Sequence, residues 1–365
     1  MPFETPEMSD FFWLYRATAP SVRAQSIQVV NAAWATAARG HRVTLAVQAP
    51  PKGRWLAADV LDFYGLPAND HLDLRVLSAK NTAASLAFRA LFAGWLLRTR
   101  GRGIAIARSK RYAREALRRA PGLFRLVIEA HEVDSAQQVE LGQDATAMRA
   151  LEAEVLAGAQ AVVCNAPGTL AVLRREHPDL PPAVALHNGT LACRARQPSG
   201  RGVGIGYMGS VRREKDLTTV AAAAALLQRE VTVIGPDQLS MPWVRSESAL
   251  PHRDVPDRLS RFDALLLPVG TGLFGEQLTS PLKLWDYLAS GVPIVAADTP
   301  AIRSAAEGAF EPFRPGDAES LAAAIRRITA DDELRARRVA AAPLRTWDQR
   351  AEELDVFLAS ALGAR

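Results

Sequence analysis

Residues 280–298 read SPLKLWDYLASGVPIVAAD. Ser280 has the side chain of a helix N-cap, and Pro281 suits the first helical position. Leu284 and Leu288 lie four apart on one helical face. Gly291 falls where a helix closes in the left-handed conformation, and Pro293 prevents its continuation. Ile294–Ala297 then reads as a buried strand. A helix with so defined a start presents free backbone N–H groups and the positive end of its dipole. Such an end binds phosphate, and Lys283 in the first turn adds charge. Asp286, about one turn further in, is placed to hold sugar hydroxyls.

The same strand-and-helix alternation extends outward in both directions. In the first half, Phe11–Tyr15, Val43–Val47, Ile104–Ala107, Leu126–Glu129 and Ala161–Asn165 read as strands, with helices at Ala24–Arg39 and Thr169–Glu176. In the second half, Gly204–Met208, Val231–Ile234 and Ala264–Pro268 read as strands. Helices are predicted at Asp216–Gln228, Asp317–Thr329, Asp332–Ala341 and Leu344–Leu362. This pattern predicts α/β architecture with doubly wound parallel sheets. The polar stretch RARQPSGRG, residues 194–202, reads as an interdomain linker.

At 365 residues the chain is too long for a typical single domain. The expected division is residues 1–190 and 203–344, with the helix at about 345–365 returning to pack on the first domain. Two such domains would face each other across a cleft, and ligands of parallel sheets bind at the carboxyl ends of the strands. The loops of interest are therefore Ala17–Arg23, Ala130–Ser135, Gly209–Lys215 and Val269–Ser280.

Composition narrows the function classes. The chain is 48% hydrophobic and 23% charged, as expected of a globular protein. Ala83–Leu97 is apolar but short and contains Arg89, which argues against a membrane span. The acidic opening MPFETPEMSD has no apolar signal core, so export is not expected. Cys164 and Cys193 show neither metal spacing nor a disulfide framework, and a cytoplasmic location is expected. The net charge of +5 arises wholly in residues 1–180, which hold 22 Lys and Arg against 17 Asp and Glu.

The loop GSVRREK, Gly209–Lys215, follows one strand and precedes a helix. Its glycine lets backbone approach a ligand closely, and Arg212, Arg213 and Lys215 can neutralise a diphosphate. With it, GYMGSVRREKDL and PVGTGLFGEQLTSPLKLWDYLASGVPIVAADTPAIR resemble the nucleotide-sugar domain of GT-B glycosyltransferases, specifically the large retaining family 4. HNGT at His187–Thr190 resembles the interdomain turn of that family. ARGHRVTLAV at 38–47 resembles its first-domain helix-to-strand passage, and EAHEVD at 129–134 its donor-contacting histidine loop.

The resemblance implies a GT-B fold of two Rossmann-like domains and a nucleotide-sugar-dependent hexosyltransferase. Lys215 would bind the leaving diphosphate with Gly209, Ser210, Arg212 and Arg213. Thr279, Ser280, Pro281 and Leu282 would form the helix start that meets the same phosphates, through the amides of Ser280 and Leu282. Asp286 stands where the family usually has Glu and would hold the ribose. His131 would face the donor sugar, and Ser21 and Arg23 would lie on the acceptor side. The family often has Arg at the position of Ser210 and Glu at the position of Leu278; Glu276 is a candidate replacement. No Asp-x-Asp metal motif is present, so no metal is expected, and fixed cations would stabilise a UDP- or GDP-type leaving group. Alternatives are an epimerase-like GT-B enzyme acting on nucleotide sugars and a non-catalytic partner in polysaccharide assembly.

Arg98–Arg125 carries ten basic residues and one acid, Glu115. With Leu91, Phe92, Trp95 and Leu97 just before it, the segment has three readings. It could dock on an anionic membrane at the inner face, bind an anionic acceptor, or be a solvated arginine-rich face. Nucleic acid is not an expected partner, because aromatics do not interleave with the charges.

Overall fold

The computed structural model describes residues 8–78, 81–191, 202–211 and 215–363. The chain divides into two compact units. One comprises Met1–Asn165, Thr169–Leu186 and Trp347–Arg365, and the other Ala166–Gly168 and His187–Thr346. The HNGT turn therefore belongs to the second unit, rather than closing the first as the expected boundary at 190 has it.

The first unit is built on a parallel sheet of order β3-β2-β1-β4-β5-β6-β7. Its strands are β1 (Asp10–Trp13), β2 (Arg42–Gln48), β3 (Leu72–Leu77), β4 (Ile104–Ala107), β5 (Arg125–Ala130), β6 (Ala161–Cys164) and β7 (Ala183–Ala185). The helices on it include α1 (Ala24–Ala38), α2 (Ala57–Tyr64), α3 (Asn81–Thr99), α4 (Lys110–Arg119), α5 (Asp134–Glu140), α6 (Thr146–Ala157) and α7 (Pro167–Glu176). The central strands are apolar almost throughout because both sheet faces are covered. On α3, Phe88, Phe92 and Trp95 converge on Phe12 of β1 with ring centroids 5.1–5.7 Å apart. Trp95 is fully buried there, so α3 turns its aromatic residues into the core.

The second unit repeats the scheme with the order β10-β9-β8-β11-β12-β13. Its strands are β8 (Ile205–Met208), β9 (Val231–Gly235), β10 (Val244–Ser248), β11 (Ala264–Leu267), β12 (Ile294–Ala297) and β13 (Glu311–Phe313). Its helices are α8 (Leu217–Leu227), α9 (Val255–Leu259), α10 (Leu282–Ser290), α11 (Pro300–Ala306), α12 (Ala318–Ala330) and α13 (Asp332–Ala340). The last helix, α14 (Trp347–Leu362), belongs to the first unit and lies along α1. There Arg350 donates to Glu129 Oε1 at 2.6 Å, and Asp355 pairs with Arg39 and with His41 Nε2.

In both sheets the strand order reverses beside the first strand: between β1 and β4 in one unit, between β8 and β11 in the other. Helices on opposite faces leave a crevice at such a switch point, outside the carboxyl ends of the strands. All four edge strands escape the sequence reading: β7 and β13 have three residues each, β10 is largely polar (VRSES), and β3 is missed although LDLRVL alternates.

Candidate functional site

Each unit carries a cluster at its own switch point. In the second unit, Gly209 directly follows β8 and has φ +139°. A Cβ built on it would lie 2.5 Å from Lys283 Nζ. Lys283 reaches this point from the first turn of α10. Its ammonium donates to Tyr207 Oη at 2.8 Å and lies 3.9 Å from the centre of the same ring. Tyr207 in turn donates to the Ser210 carbonyl at 2.9 Å, which ties the strand end to the loop. Lys215 places its Nζ 5.0 Å from the centre of the Phe274 ring. Burial, followed by the charge of Lys215, holds the Lys283 ammonium well below the usual lysine range. Two cations that repel each other beside a close-approach glycine form a site suited to an anion.

The start of α10 differs from the sequence reading. Its N-cap is Pro281, not Ser280, so proline precedes the helix instead of occupying its first position. The Ser280 hydroxyl is buried without a hydrogen-bond partner and caps nothing. The amides of Leu282 and Lys283 precede the first intrahelical acceptor, which is engaged by Leu284 N donating to the Pro281 carbonyl. Thr279 is buried, and its amide donates to the Phe274 carbonyl. Glu276 is exposed on the one-turn π-helical segment Phe274–Leu278. Leu278 is fully buried, so packing accounts for an apolar residue at that position. Arg212 and Arg213 lie outside the described residues.

Asp286, which the resemblance gives to the ribose, is buried, with only 6% of it exposed. Oδ1 accepts from Thr190 Oγ1 at 2.9 Å, and Oδ2 lies 3.2 Å from His252 Nε2. The HNGT turn braces α10 from the same side. Asn188 Nδ2 donates to the Ser280 carbonyl, and the His187 ring packs 5.6 Å from Trp285. Thr190 and His252 thus hold the helix that carries Lys283.

In the first unit, a cavity of about 520 Å³ opens at the ends of β4 and β5 and beside Tyr15. His131, just past β5, forms part of its wall. Burial, followed by the nearby Arg108, lowers its imidazole to about 4, and Glu129 opposes this only in part. The ring is therefore neutral at neutral pH. His131 Nε2 has no hydrogen-bond partner and stands 3.7 Å from Glu129 Oε2. Burial pushes the Glu129 carboxyl up, but Arg350 and then His131 hold it far below the usual range. Lys110 Nζ lies 2.6 Å from Asp134 and 2.8 Å from Glu152.

Ser21 and Arg23 are not part of this wall. Ser21 exchanges hydrogen bonds with the Tyr64 hydroxyl through its amide and carbonyl, both at 3.0 Å. Arg23 is exposed at the N-cap of α1, near enough to act electrostatically on Tyr15. The residues that sequence reasoning did not assign are Tyr207, Arg108, Lys110 and Arg111, while Lys283 counted only as extra charge. The signal for Lys283 lay in its place one residue past the helix start; the signal for Arg108 lay in its place one residue past a strand.

Residues 202–331 match the family Glycosyl transferases group 1. No curated protein matches by sequence. Among solved structures, the chain is similar to a sucrose-phosphate synthase from Thermosynechococcus elongatus. That pair has a TM-score of 0.73 at 16% identity, over 97% of this chain and 99% of the other. It is similar to HepE of Anabaena, solved in complex with UDP and glucose, with a TM-score of 0.70 at 14% identity over 97% and 100%. It also resembles an α,α-trehalose-phosphate synthase of Burkholderia xenovorans, solved in complex with glucose-6-phosphate. There the TM-score is 0.64 at 12% identity, over 96% and 100%. At these identities the likeness concerns the fold.

Proposed function

We propose that this chain, whose residues 202–331 match the family Glycosyl transferases group 1 and whose fold is that of the solved glycosyltransferases above, transfers a hexose from a nucleoside-diphosphate sugar, with retention and without a metal ion. The observation that carries the reading is the meeting of Lys283, Lys215 and Gly209 at the end of β8. As the sugar leaves, negative charge builds on the diphosphate. Two fixed ammonium groups and the first amides of α10 are donors suited to that charge. The other solved structures with UDP-type ligands support a UDP donor as the first to be tried. His131, neutral and on the wall of the first unit's cavity, is the residue given to a sugar hydroxyl. Ser210 and Thr279 shape the loop ends, and Asp286 acts through the seating of α10.

UDP and GDP should each be tested for thermal stabilisation of the chain, with Lys283→Met and Lys215→Met beside them. Stabilisation lost in both variants supports the assignment; stabilisation untouched in both removes it. An isotopically labelled UDP-hexose separates transfer from the epimerase alternative: transfer needs an acceptor and labels it, whereas epimerisation alters the donor without one. Proton NMR of the new linkage reads its configuration, and activity in EDTA should match activity in added magnesium.

A second reading concerns location. Leu86, Ala90, Ala93 and Leu97 line one exposed face of α3, beside exposed Arg98, Arg100 and Arg102. An apolar stripe with a cationic rim suits an anionic lipid surface at the cytoplasmic face. Phe92 and Trp95 pack inward, and Arg89, Arg98, Arg118 and Arg119 have carboxylate partners, so the surface is narrower than the sequence implies. No helix among the described residues is long and apolar enough to cross a membrane. Co-flotation with phosphatidylglycerol vesicles, lost in Leu97→Glu, tests the contact.

A further inference from the structure

The chain favours arginine heavily. Of its 44 Lys and Arg residues only five are lysines: Lys52, Lys80, Lys110, Lys215 and Lys283. Arginine stays charged in proteins, whereas a buried lysine can give up its proton and become a nucleophile. So sparing a use of lysine makes the surroundings of each one informative.

Those surroundings differ. Lys52 is exposed, and Lys80 lies outside the described residues. Burial works to lower the Lys110 ammonium, but Asp134 and Glu152 raise it above the usual range, so it stays charged. Lys283 has no carboxylate at ion-pair distance among the described residues; the charge that acts on it is Lys215. Its Nζ donates to Tyr207 Oη, and Tyr207 Oη commits its own hydrogen to the Ser210 carbonyl. The phenol therefore accepts from the amine and offers nothing back, so this bond leaves the nitrogen lone pair unused. Gly209, beside Nζ, has no side chain to cover it. Burial, followed by Lys215, favours the neutral amine. A desolvated lysine next to a second cation is an activated nucleophile.

We propose that Lys283 is a site of covalent acylation by acyl phosphates, with the phosphate neutralised by Lys215 and the acyl group passing to Lys283 Nζ. The inference rests on the sugar-transfer reading, which brings a diphosphate to the same two lysines, and it adds a covalent control of donor binding. In the step, the Nζ lone pair forms a bond to the acyl carbon. The bond from that carbon to the bridging oxygen breaks, inorganic phosphate departs with the electron pair, and the nitrogen gives its surplus proton to the phosphate. The product is an uncharged amide. One of the two ammonium groups facing the diphosphate is then lost, so acylation weakens donor binding. A bound nucleotide acts in the reverse sense: it covers Nζ and favours the protonated form, so a loaded chain resists acylation.

The test is incubation of the full chain with acetyl phosphate, followed by peptide mass spectrometry of the lysines. Lys283 should be acetylated about tenfold faster than the exposed Lys52, the ratio that a tenfold larger neutral fraction gives. Saturating UDP should slow Lys283 by about tenfold or more and leave Lys52 unchanged. Acetic anhydride, which carries no phosphate, should show a smaller preference for Lys283. The acetylated chain should bind UDP about tenfold more weakly, and Lys52→Arg should show the same loss on treatment. Acetylation of Lys52 ahead of Lys283, a Lys283 rate indifferent to UDP, an equal preference with acetic anhydride, or full UDP affinity after complete modification of Lys283 would each overturn the proposal. If the untreated chain binds UDP in a Lys283-dependent way, only the acylation assignment falls; if it binds no UDP, the sugar-transfer reading falls with it.

Discussion

Lys283 occupies the space that a side chain at Gly209 would need: a Cβ there would stand 2.5 Å from its ammonium nitrogen. The backbone of Gly209, at φ +139°, is also one that an L side chain rarely adopts. Gly209→Ala should therefore push Lys283 from the loop and strain the turn. The expected result is a loss of about 10²-fold in kcat/KM, the scale seen when one preorganised donor to a developing anion is removed. Circular dichroism should show an intact fold. Normal turnover in this variant would sink the role given to the pair.

Lys283 should make diphosphate binding pH-dependent. Its folded-state range is lowered by burial and by Lys215, so in the free protein it loses its proton earlier than an ordinary lysine. A diphosphate favours the charged form and must take up a proton once the pH exceeds that lowered range. UDP should therefore bind more weakly as pH rises, by at most about tenfold per unit, and the weakening should set in below the pH at which an ordinary lysine loses its proton. Calorimetry in buffers of different ionisation heat reads the proton directly. Lys283→Met should flatten the slope.

His131 predicts acid sensitivity of the opposite origin. Its folded value of about 4 lies below the ordinary 6.5, so between those values the unfolded chain binds a proton that the folded chain does not. Stability should fall as pH drops through this window, by up to about 3 kcal/mol from this group. His131→Gln should reduce the loss in urea unfolding measured from about pH 6.5 to 4.5. An unchanged pH slope in the variant would show that the imidazole is not the cause.

Arg350 is tied to Glu129 inside the first unit, with both side chains 3% exposed. Arg350→Met leaves a buried carboxylate without its counter-ion, a change that costs about 3–5 kcal/mol when one partner of such a pair is removed. The melting temperature should fall by roughly 10 °C. Glu129→Gln in the same chain should recover much of it, because the uncompensated charge is then gone.

Asp286 should prove a stability residue. Both of its oxygens are engaged by Thr190 and His252. Asp286→Asn is expected to lower the melting temperature by several degrees. UDP affinity should change less than about threefold, since hydrogen bonds to a buried charge are worth about 1.5–3 kcal/mol to the fold. A larger loss for UDP than for pyrophosphate would restore the ribose role.

Much of the architecture was legible in local pattern. Ala24–Arg39 ends before Gly40 because that glycine takes φ +90°, and the strands at 104–107 and 294–297 are apolar throughout because helices cover both faces of their sheets. Two alternating series and the 280–291 segment carried the two-unit α/β reading. Strand β10 was not legible, because VRSES has no apolar alternation to announce it, and β7 and β13 have only three residues each.

The sequence by itself determined the secondary elements, their parallel α/β character and the loops that follow the strands, since these depend on hydrophobic period, glycine and proline. It also placed His131 and Gly209 in such loops. Only the tertiary structure decided which charges are already matched. Asp286 and Lys110 look available in the chain yet are engaged by partners distant in sequence, Thr190 and His252 for one, Asp134 and Glu152 for the other. Lys283 and Arg108 look incidental, yet strand order brings each to a switch point. Whether a charged side chain serves the fold or a ligand depends on what lies within a few ångströms of it, and long-range packing sets that distance.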